Sequence, residues 1–217
     1  RDSAGYVGQF KTRGDVASVA HSALLNGPFA CEFWIHPFAK ANDFNAGPVV
    51  VCKGNINTSW QVQIDGASGK LFCRVKQGGV SKEAWDTITT PRNTWTAYMA
   101  RFTGTAVELY RGASSPVAST ACTGIDSNAG PLRFGDADTP KGNSLRGLLY
   151  DVRLWSARSG AEFAAGMNAP VDPAAPGLLG NWMFDEDSGP IAVDRGPNAL
   201  HLSVANCDQR TQFARPY

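Results

Sequence analysis

Apolar side chains recur at every second position in one segment after another of this chain, the period of a strand whose two faces meet different surroundings. The pattern is fullest at Leu145-Arg-Gly-Leu-Leu-Tyr-Asp-Val-Arg-Leu-Trp155. There Leu148, Tyr150, Val152 and Leu154 fall on one side of an extended backbone and Leu149, Asp151, Arg153 and Trp155 on the other. The alternation predicts a strand that packs one face and turns the other to water. Phe29, Cys31, Phe33 and Ile35 share one face of a second segment with Trp34 opposite. Bulk on both of its sides predicts a central strand of two stacked sheets.

Shorter runs of the same kind predict strands at 5–10, 16–21, 49–52, 60–64, 70–75, 95–102, 106–110, 117–122 and 131–135, and in the tail at 178–184, 191–193 and 200–204. The loops 53–59 and 65–69 suit a meander, and Thr103-Gly-Thr suits a tight hairpin. One stretch, Ser159-Gly-Ala-Glu-Phe-Ala-Ala-Gly-Met, has the composition of a short helix. The proline-rich 170–176 reads as a surface crossing, because the tail behind it is too small for a core of its own. The expected fold class is all-β, a two-sheet antiparallel β-sandwich with one short helix, forming a single domain over 1–217.

Composition narrows the function. A formal charge of +1, with 18% of the 217 residues charged, gives no global field that would gather nucleic acid or acidic lipid. No apolar run reaches the roughly 20 residues needed to cross a bilayer, so membrane insertion is not expected either. The five cysteines, Cys31, Cys52, Cys73, Cys122 and Cys207, lack zinc-ligand spacing. They read as buried thiols acting as small hydrophobes, or as one or two disulfides of a secreted protein. Arg13-Gly14-Asp15 spells an adhesion tripeptide but also a polar turn, and Asn57-Thr-Ser is an acceptor sequence for N-glycosylation.

Several pieces in fixed order carry a family likeness: Cys31-Glu-Phe-Trp-Ile, Val51-Cys-Lys-Gly, Trp60-Gln-Val-Gln-Ile-Asp with Gly69-Lys-Leu, Trp95-Thr-Ala-Tyr, Thr103-Gly-Thr-Ala-Val-Glu-Leu-Tyr-Arg-Gly, Pro131-Leu-Arg-Phe-Gly and Gly147-Leu-Leu-Tyr-Asp-Val-Arg-Leu-Trp-Ser-Ala-Arg. Together they resemble the laminin-G-like, concanavalin-A-like lectin and glucanase jelly-roll superfamily. The resemblance implies two curved antiparallel sheets packed face to face in a secreted or cell-surface protein. Arg111 departs from the pattern, which usually ends that strand in an acidic residue before the glycine.

The chemistry of catalysis is thin. No strand carries the alternating acids by which sandwich-fold glycosidases face an acid and a nucleophile across the scissile bond. Asp185-Glu186-Asp187 is consecutive and turn-like, and His21, His36 and His201 lie apart with no nucleophile pattern. The chain is therefore read as non-enzymatic. Sugar recognition needs flat aromatic surface beside amide or carboxylate groups. Trp60 with Asn55, Asn57 and Lys53, and Trp85 with Glu83 and Asp86, offer that mixture at expected strand ends. The carbohydrate-binding candidates are Trp60, Asn57, Asn55 and Trp85. A structural calcium ion is expected on carboxylates and turn carbonyls. The family resemblance places Asp151, Asp185, Asp194 and Asn198 together for it, with the Asp136/Asp138 loop as the other candidate. The expected function is a non-catalytic lectin-like module binding a glycan or glycoprotein, with homo-oligomers compatible. The alternatives are a protein-interaction or adhesion module of a larger extracellular protein, and a polysaccharide hydrolase or lyase.

Overall fold

The computed structural model describes residues 4–11, 14–38, 47–137, 143–186, 189–205 and 211–217. Its strands in chain order are β1 (Ala4–Phe10), β2 (Val16–Val19), β3 (Phe29–Pro37), β4 (Val49–Lys53), β5 (Trp60–Ile64), β6 (Lys70–Gln77), β7 (Val80–Thr89) and β8 (Thr96–Phe102). They continue with β9 (Ala106–Arg111), β10 (Ala118–Ala121), β11 (Leu132–Phe134), β12 (Gly147–Trp155), β13 (Leu178–Trp182), β14 (Ile191–Ala192), β15 (Leu202–Ala205) and β16 (Thr211–Ala214), and helix α1 (Gly160–Gly166) follows β12. One sheet runs β10-β9-β8-β3-β12-β1-β16, with β13 also paired to β12, and the other runs β14-β15-β2-β11-β4-β5-β6-β7. Neighbours are antiparallel throughout. The expected all-β sandwich with one short helix is what the chain forms.

The core lies where the period of two puts it. Phe29, Cys31, Phe33 and Ile35 of β3 meet Trp60, Val62 and Ile64 of β5 and Leu71, Cys73 and Val75 of β6 between the sheets. Trp60 is 1% exposed and stacks on Phe29 with centroids 4.1 Å apart, joining the two layers. Cys31, Cys52, Cys73 and Cys122 are free and buried, which decides for the small-hydrophobe reading at those four, while Cys207 lies outside the described residues. Burial pushes the Cys31 and Cys73 thiols up and that of Cys52 to about 12, so they remain protonated.

The turns follow their residues. Gly104 takes φ +93° in the β8–β9 hairpin, and Gly78 and Gly79 both take positive φ between β6 and β7, the requirement of a two-residue hairpin loop. Helix α1 opens with a capping box. The Glu162 amide donates to Ser159 Oγ at 3.2 Å, and the Ser159 amide donates to Glu162 Oε2 at 2.7 Å. Its Phe163 is buried against Tyr110 and Trp155 on the outer face of the first sheet.

Strand β12 departs from the alternation read in its sequence. Tyr150 pairs with Trp34 and Arg153 with Glu32, so two residues of β12 oppose Phe33 alone. Asp151 occupies the left-handed region at φ +46°, as a bulge residue can. The bulge inverts the parity: Leu149 points into the core before it, and Val152 and Leu154 do so after it. All nine residues of β12 are buried, so neither face is turned to water. The outer face is covered by α1, by the loop behind it and by the C-terminal strand β16.

Under β16 lies an aromatic cluster. His36 is buried among Phe213 (4.8 Å), Trp95 (5.3 Å) and Phe38 (5.5 Å), and its Nδ1 has no hydrogen-bond partner. Burial holds its pKa below the ordinary histidine value. The neutral ring is thus favoured in the folded chain. Its contribution to stability is complete above the unfolded value of about 6.5 and is lost as pH falls through the folded one.

Two outcomes follow from this packing. Trp60→Ala is expected to cost about 3–5 kcal/mol of unfolding free energy in urea titrations. His36→Phe is expected to flatten the fall in melting temperature that acidification below about pH 6.5 should cause in the parent chain; an unchanged slope would place that titration elsewhere.

Candidate functional site

Among the described residues no helix covers the outer face of the second sheet, and there the strands β5, β6 and β7 set side chains in register. Gln63, Phe72 and Trp85 form one cross-strand row, and Gln61, Arg74 and Glu83 form the next. Opposing side chains of an antiparallel pair stand within contact distance, so each row is a continuous surface. Trp85 stacks on Phe72 with centroids 4.3 Å apart and ring planes 20° from parallel. Phe72 is buried and Trp85 is half-buried, so the indole presents the outer surface of the stack.

Polar groups chain along the aromatic pair. The Trp85 indole N–H donates to Glu83 Oε2 at 2.8 Å, and Arg74 Nε donates to Glu83 Oε1 at 2.5 Å. The guanidinium lies 5.0 Å from the centroid of the Phe72 ring and also donates to Asn57 Oδ1. The Asn57 amide in turn donates to Gln61 Oε1 at 2.8 Å, and Gln61 Nε2 to Gln63 Oε1 at 2.6 Å. Asn57 is exposed at φ +63°, a conformation asparagine tolerates better than most residues. A flat indole bordered by a carboxylate, a guanidinium and an amide is a surface on which a pyranose could stack while its hydroxyls find donors and acceptors.

Of the four carbohydrate-binding candidates, the structure brings Asn57 and Trp85 into one network. Trp60 points the other way, into the core, and offers no ring face to a ligand. Asn55 is exposed in the same loop as Asn57, but its bonds close that loop on Thr58. Lys53 is buried, and its ammonium is bound by the carbonyl oxygens of Asn128 (3.0 Å) and Gly130 (2.5 Å). Burial lowers its pKa. Asp86 faces inward and is engaged by the Tyr98 hydroxyl at 2.9 Å and by Arg111, which explains the basic residue found at that strand end. Arg74, Phe72 and Gln61 were missed. Their signal was the parity opposite to Leu71, Cys73, Val75 and Val62.

The proposed calcium ligands are already engaged by hydrogen-bond and ion-pair partners within the chain. Asp151 is buried and accepts from Arg153 Nε (2.9 Å), Asn181 Nδ2 (2.9 Å) and the Tyr217 hydroxyl. Asp194 accepts from the backbone amides of Asn181 (2.8 Å), Gly196 (2.7 Å) and Leu200 (2.7 Å). Asp185 pairs with Arg195 at 2.5 Å, and Asn198 donates to the Leu179 carbonyl at 3.0 Å. Oxygens facing N–H donors and guanidinium groups do not fit a cation that needs several free oxygens. Among the described residues no group of three or more His, Cys, Asp or Glu gathers to hold a metal. In the second candidate loop Asp136 accepts from Ser144 Oγ and from the Gly14 amide at 3.1 Å, and Asp138 lies outside the described residues. Asp15 is 1% exposed and accepts from the Lys11 amide at 2.6 Å, so its carboxylate is turned inward; Arg13 lies outside the described residues.

The family model of the concanavalin A-like lectin/glucanases superfamily matches residues 11–162. The chain belongs to that superfamily. A search of curated proteins gives no match. Among solved structures, a protein of Bacteroides ovatus ATCC 8483 provisionally named as carbohydrate-binding superposes with TM-score 0.75 at 19% identity, over 99% of this chain and 61% of that one. A heptameric SAP-like pentraxin from Limulus polyphemus gives TM-score 0.59 at 13% identity, over 96% of this chain and 99% of that one. Domains LG4-5 of the mouse laminin alpha1 chain give 0.54 at 14%, over 72% and 42%. At these identities the likenesses are of fold. A superfamily whose name joins lectins to glucanases leaves the choice between binding and cleavage to the site.

If Asp194 is a backbone clamp, Asp194→Asn loses an acceptor and lowers stability by about 1–3 kcal/mol. The loss is expected to be equal in calcium and in chelator, read by thermal melts; a loss confined to the calcium sample would restore the metal.

Proposed function

We propose that the chain is a non-catalytic carbohydrate- or glycoconjugate-binding module of a secreted or cell-surface protein, with Trp85 as its platform. The observation that carries this reading is the Trp85–Phe72 stack, with Trp85 half-buried, bordered by half-buried Glu83 and Arg74 and by exposed Asn57. Glu83 is held by both Arg74 and Trp85, which suits it to accept hydrogen bonds from hydroxyls in place. Arg74 and the free Nδ2 of Asn57 stand as donors beside it. Such a site binds without changing a covalent bond. The superfamily and the carbohydrate-related name of the Bacteroides neighbour point the same way. The reading assigns no calcium to the Asp151, Asp185, Asp194 and Asn198 set, whose carboxylate oxygens already face N–H donors and guanidinium groups. Self-association of the kind that makes the Limulus pentraxin heptameric would raise avidity for a repeating glycan.

A glycan array probed with and without calcium is the test. Binding to at least one sugar class is expected, and Trp85→Ala should weaken it tenfold or more, roughly 1.4 kcal/mol, while the chain keeps a cooperative thermal transition. A fully silent array, or a hit that Trp85→Ala leaves unchanged, would overturn the assignment.

A further inference from the structure

A groove of about 420 Å³ opens at one short end of the sandwich, where the start of β3, the β8–β9 hairpin and the segment between β12 and α1 converge. It lies on other elements than the Trp85 face. Its size falls in the range of small-ligand sites, about 300–1,000 Å³. Pro28 and Ala157 expose apolar surface at its rim, Thr103 adds a hydroxyl, and Arg101, Arg158 and Glu162 supply its charge.

The two arginines are fixed in place. Arg158 lies 4.1 Å over the Trp155 ring, its Nε donates to Glu32 Oε1 at 2.8 Å and its Nη2 to the Glu162 carbonyl at 3.2 Å. Arg101 lies 5.7 Å over Tyr110, its Nε is 2.8 Å from Glu108 Oε2, and its Nη1 donates to the Arg158 carbonyl at 2.6 Å. Each retains one terminal nitrogen, Nη2 of Arg101 and Nη1 of Arg158, without a hydrogen bond to a described residue. Glu162 uses Oε2 for the Ser159 cap and leaves Oε1 open. Pre-organised donors and an ionised acceptor therefore line one small space, and the Ser159 hydrogen bonds hold the Glu162 carboxyl below its ordinary pKa.

The charge balance decides the ligand class. Arg101, Arg153 and Arg158 are answered by Glu32, Glu108, Asp151 and Glu162, so the cluster has no surplus of positive charge to attract an anion. A neutral group that both donates and accepts fits better, and a vicinal diol does both. We infer that this groove is a second sugar site, taking a neutral unit of one or two rings whose hydroxyls bridge Arg101 and Arg158 to Glu162. The ligand class rests on the glycan-binding reading above; the site itself does not.

The test uses the full chain labelled with ¹⁵N and titrated with cellobiose, maltose, lactose and mannobiose, and with digalacturonate as the acidic counterpart. At least one neutral disaccharide is expected to shift the Nε–H signals of Arg101 and Arg158. Ala157→Trp, which fills the groove from an exposed loop, should weaken that response at least tenfold with the melting temperature unchanged. Glu162→Gln, which removes the charged acceptor, should weaken it severalfold. Trp85→Ala should leave it intact. Shifts confined to the Trp85 face would overturn the groove alone and leave the first assignment standing. Tighter, salt-sensitive binding of digalacturonate would overturn the neutral class. Silence at both places would remove both readings.

Discussion

The first sheet depends on one buried cation. Arg153 is 2% exposed, and burying a guanidinium without partners would cost several kcal/mol. Here it donates from Nε to Asp151 Oδ1 at 2.9 Å, from Nη1 to the Gly166 carbonyl at 3.0 Å and from Nη2 to the Ala169 carbonyl at 2.5 Å, with Glu32 at 3.6 Å. Those contacts join the bulge of β12, the end of α1 and the loop after it. Tyr217 adds the C-terminal segment through its hydroxyl on Asp151, a bond that together with burial raises its pKa and keeps it protonated. The pair is more a device of registry than a source of net stability, because its Coulomb gain is offset by desolvation.

That arrangement makes the two outer faces unlike. With Arg153 anchoring the segment behind α1, and Trp34 donating from its indole nitrogen to the Met167 carbonyl at 2.9 Å, the outer face of the first sheet is closed by its own chain. Among the described residues no helix packs on the outer face of the second sheet. Its outer rows at β5, β6 and β7 carry two buried glutamines bonded to each other, the Arg74–Glu83 ion pair and a half-buried tryptophan. The proposed binding therefore rests on the rim where Trp85 and Asn57 reach solvent, and on the end of the sandwich where Arg101 and Arg158 are pinned with a nitrogen each to spare.

Much of this was legible as a period of two. Phe29, Cys31, Phe33 and Ile35 point inward as their spacing requires, and the hairpin at Gly104 and the capped helix at Ser159 follow from local rules. The reading failed where tertiary structure overrode the period. A bulge is one extra residue, and nothing in Leu148-Leu-Tyr-Asp-Val marked that Asp151 would take a positive φ and reverse the strand's faces. The strand β16 was missed because Phe213 gains its place from aromatic contacts with His36 and Trp95, far off in sequence. The side chains expected to hold calcium likewise take their partners from tertiary structure. Asp151 and Asp194 do meet on one residue, Asn181, but as acceptors of its side-chain and backbone N–H groups.

The contrast between Trp60 and Trp85 shows how little composition says about a binding residue. Both sit in polar surroundings along the chain, and both belong to the same sheet. Trp60 shares its parity with Val62 and Ile64, whereas Trp85 lies opposite in parity to Ala84, which faces the core. Strand pairing then sets Trp85 against Phe72 and Glu83 against Arg74 on the neighbouring strand β6. Recognition surfaces on a sheet are therefore written across strands, in the residues that the core does not take. Reading them requires the register first, and the side chain second.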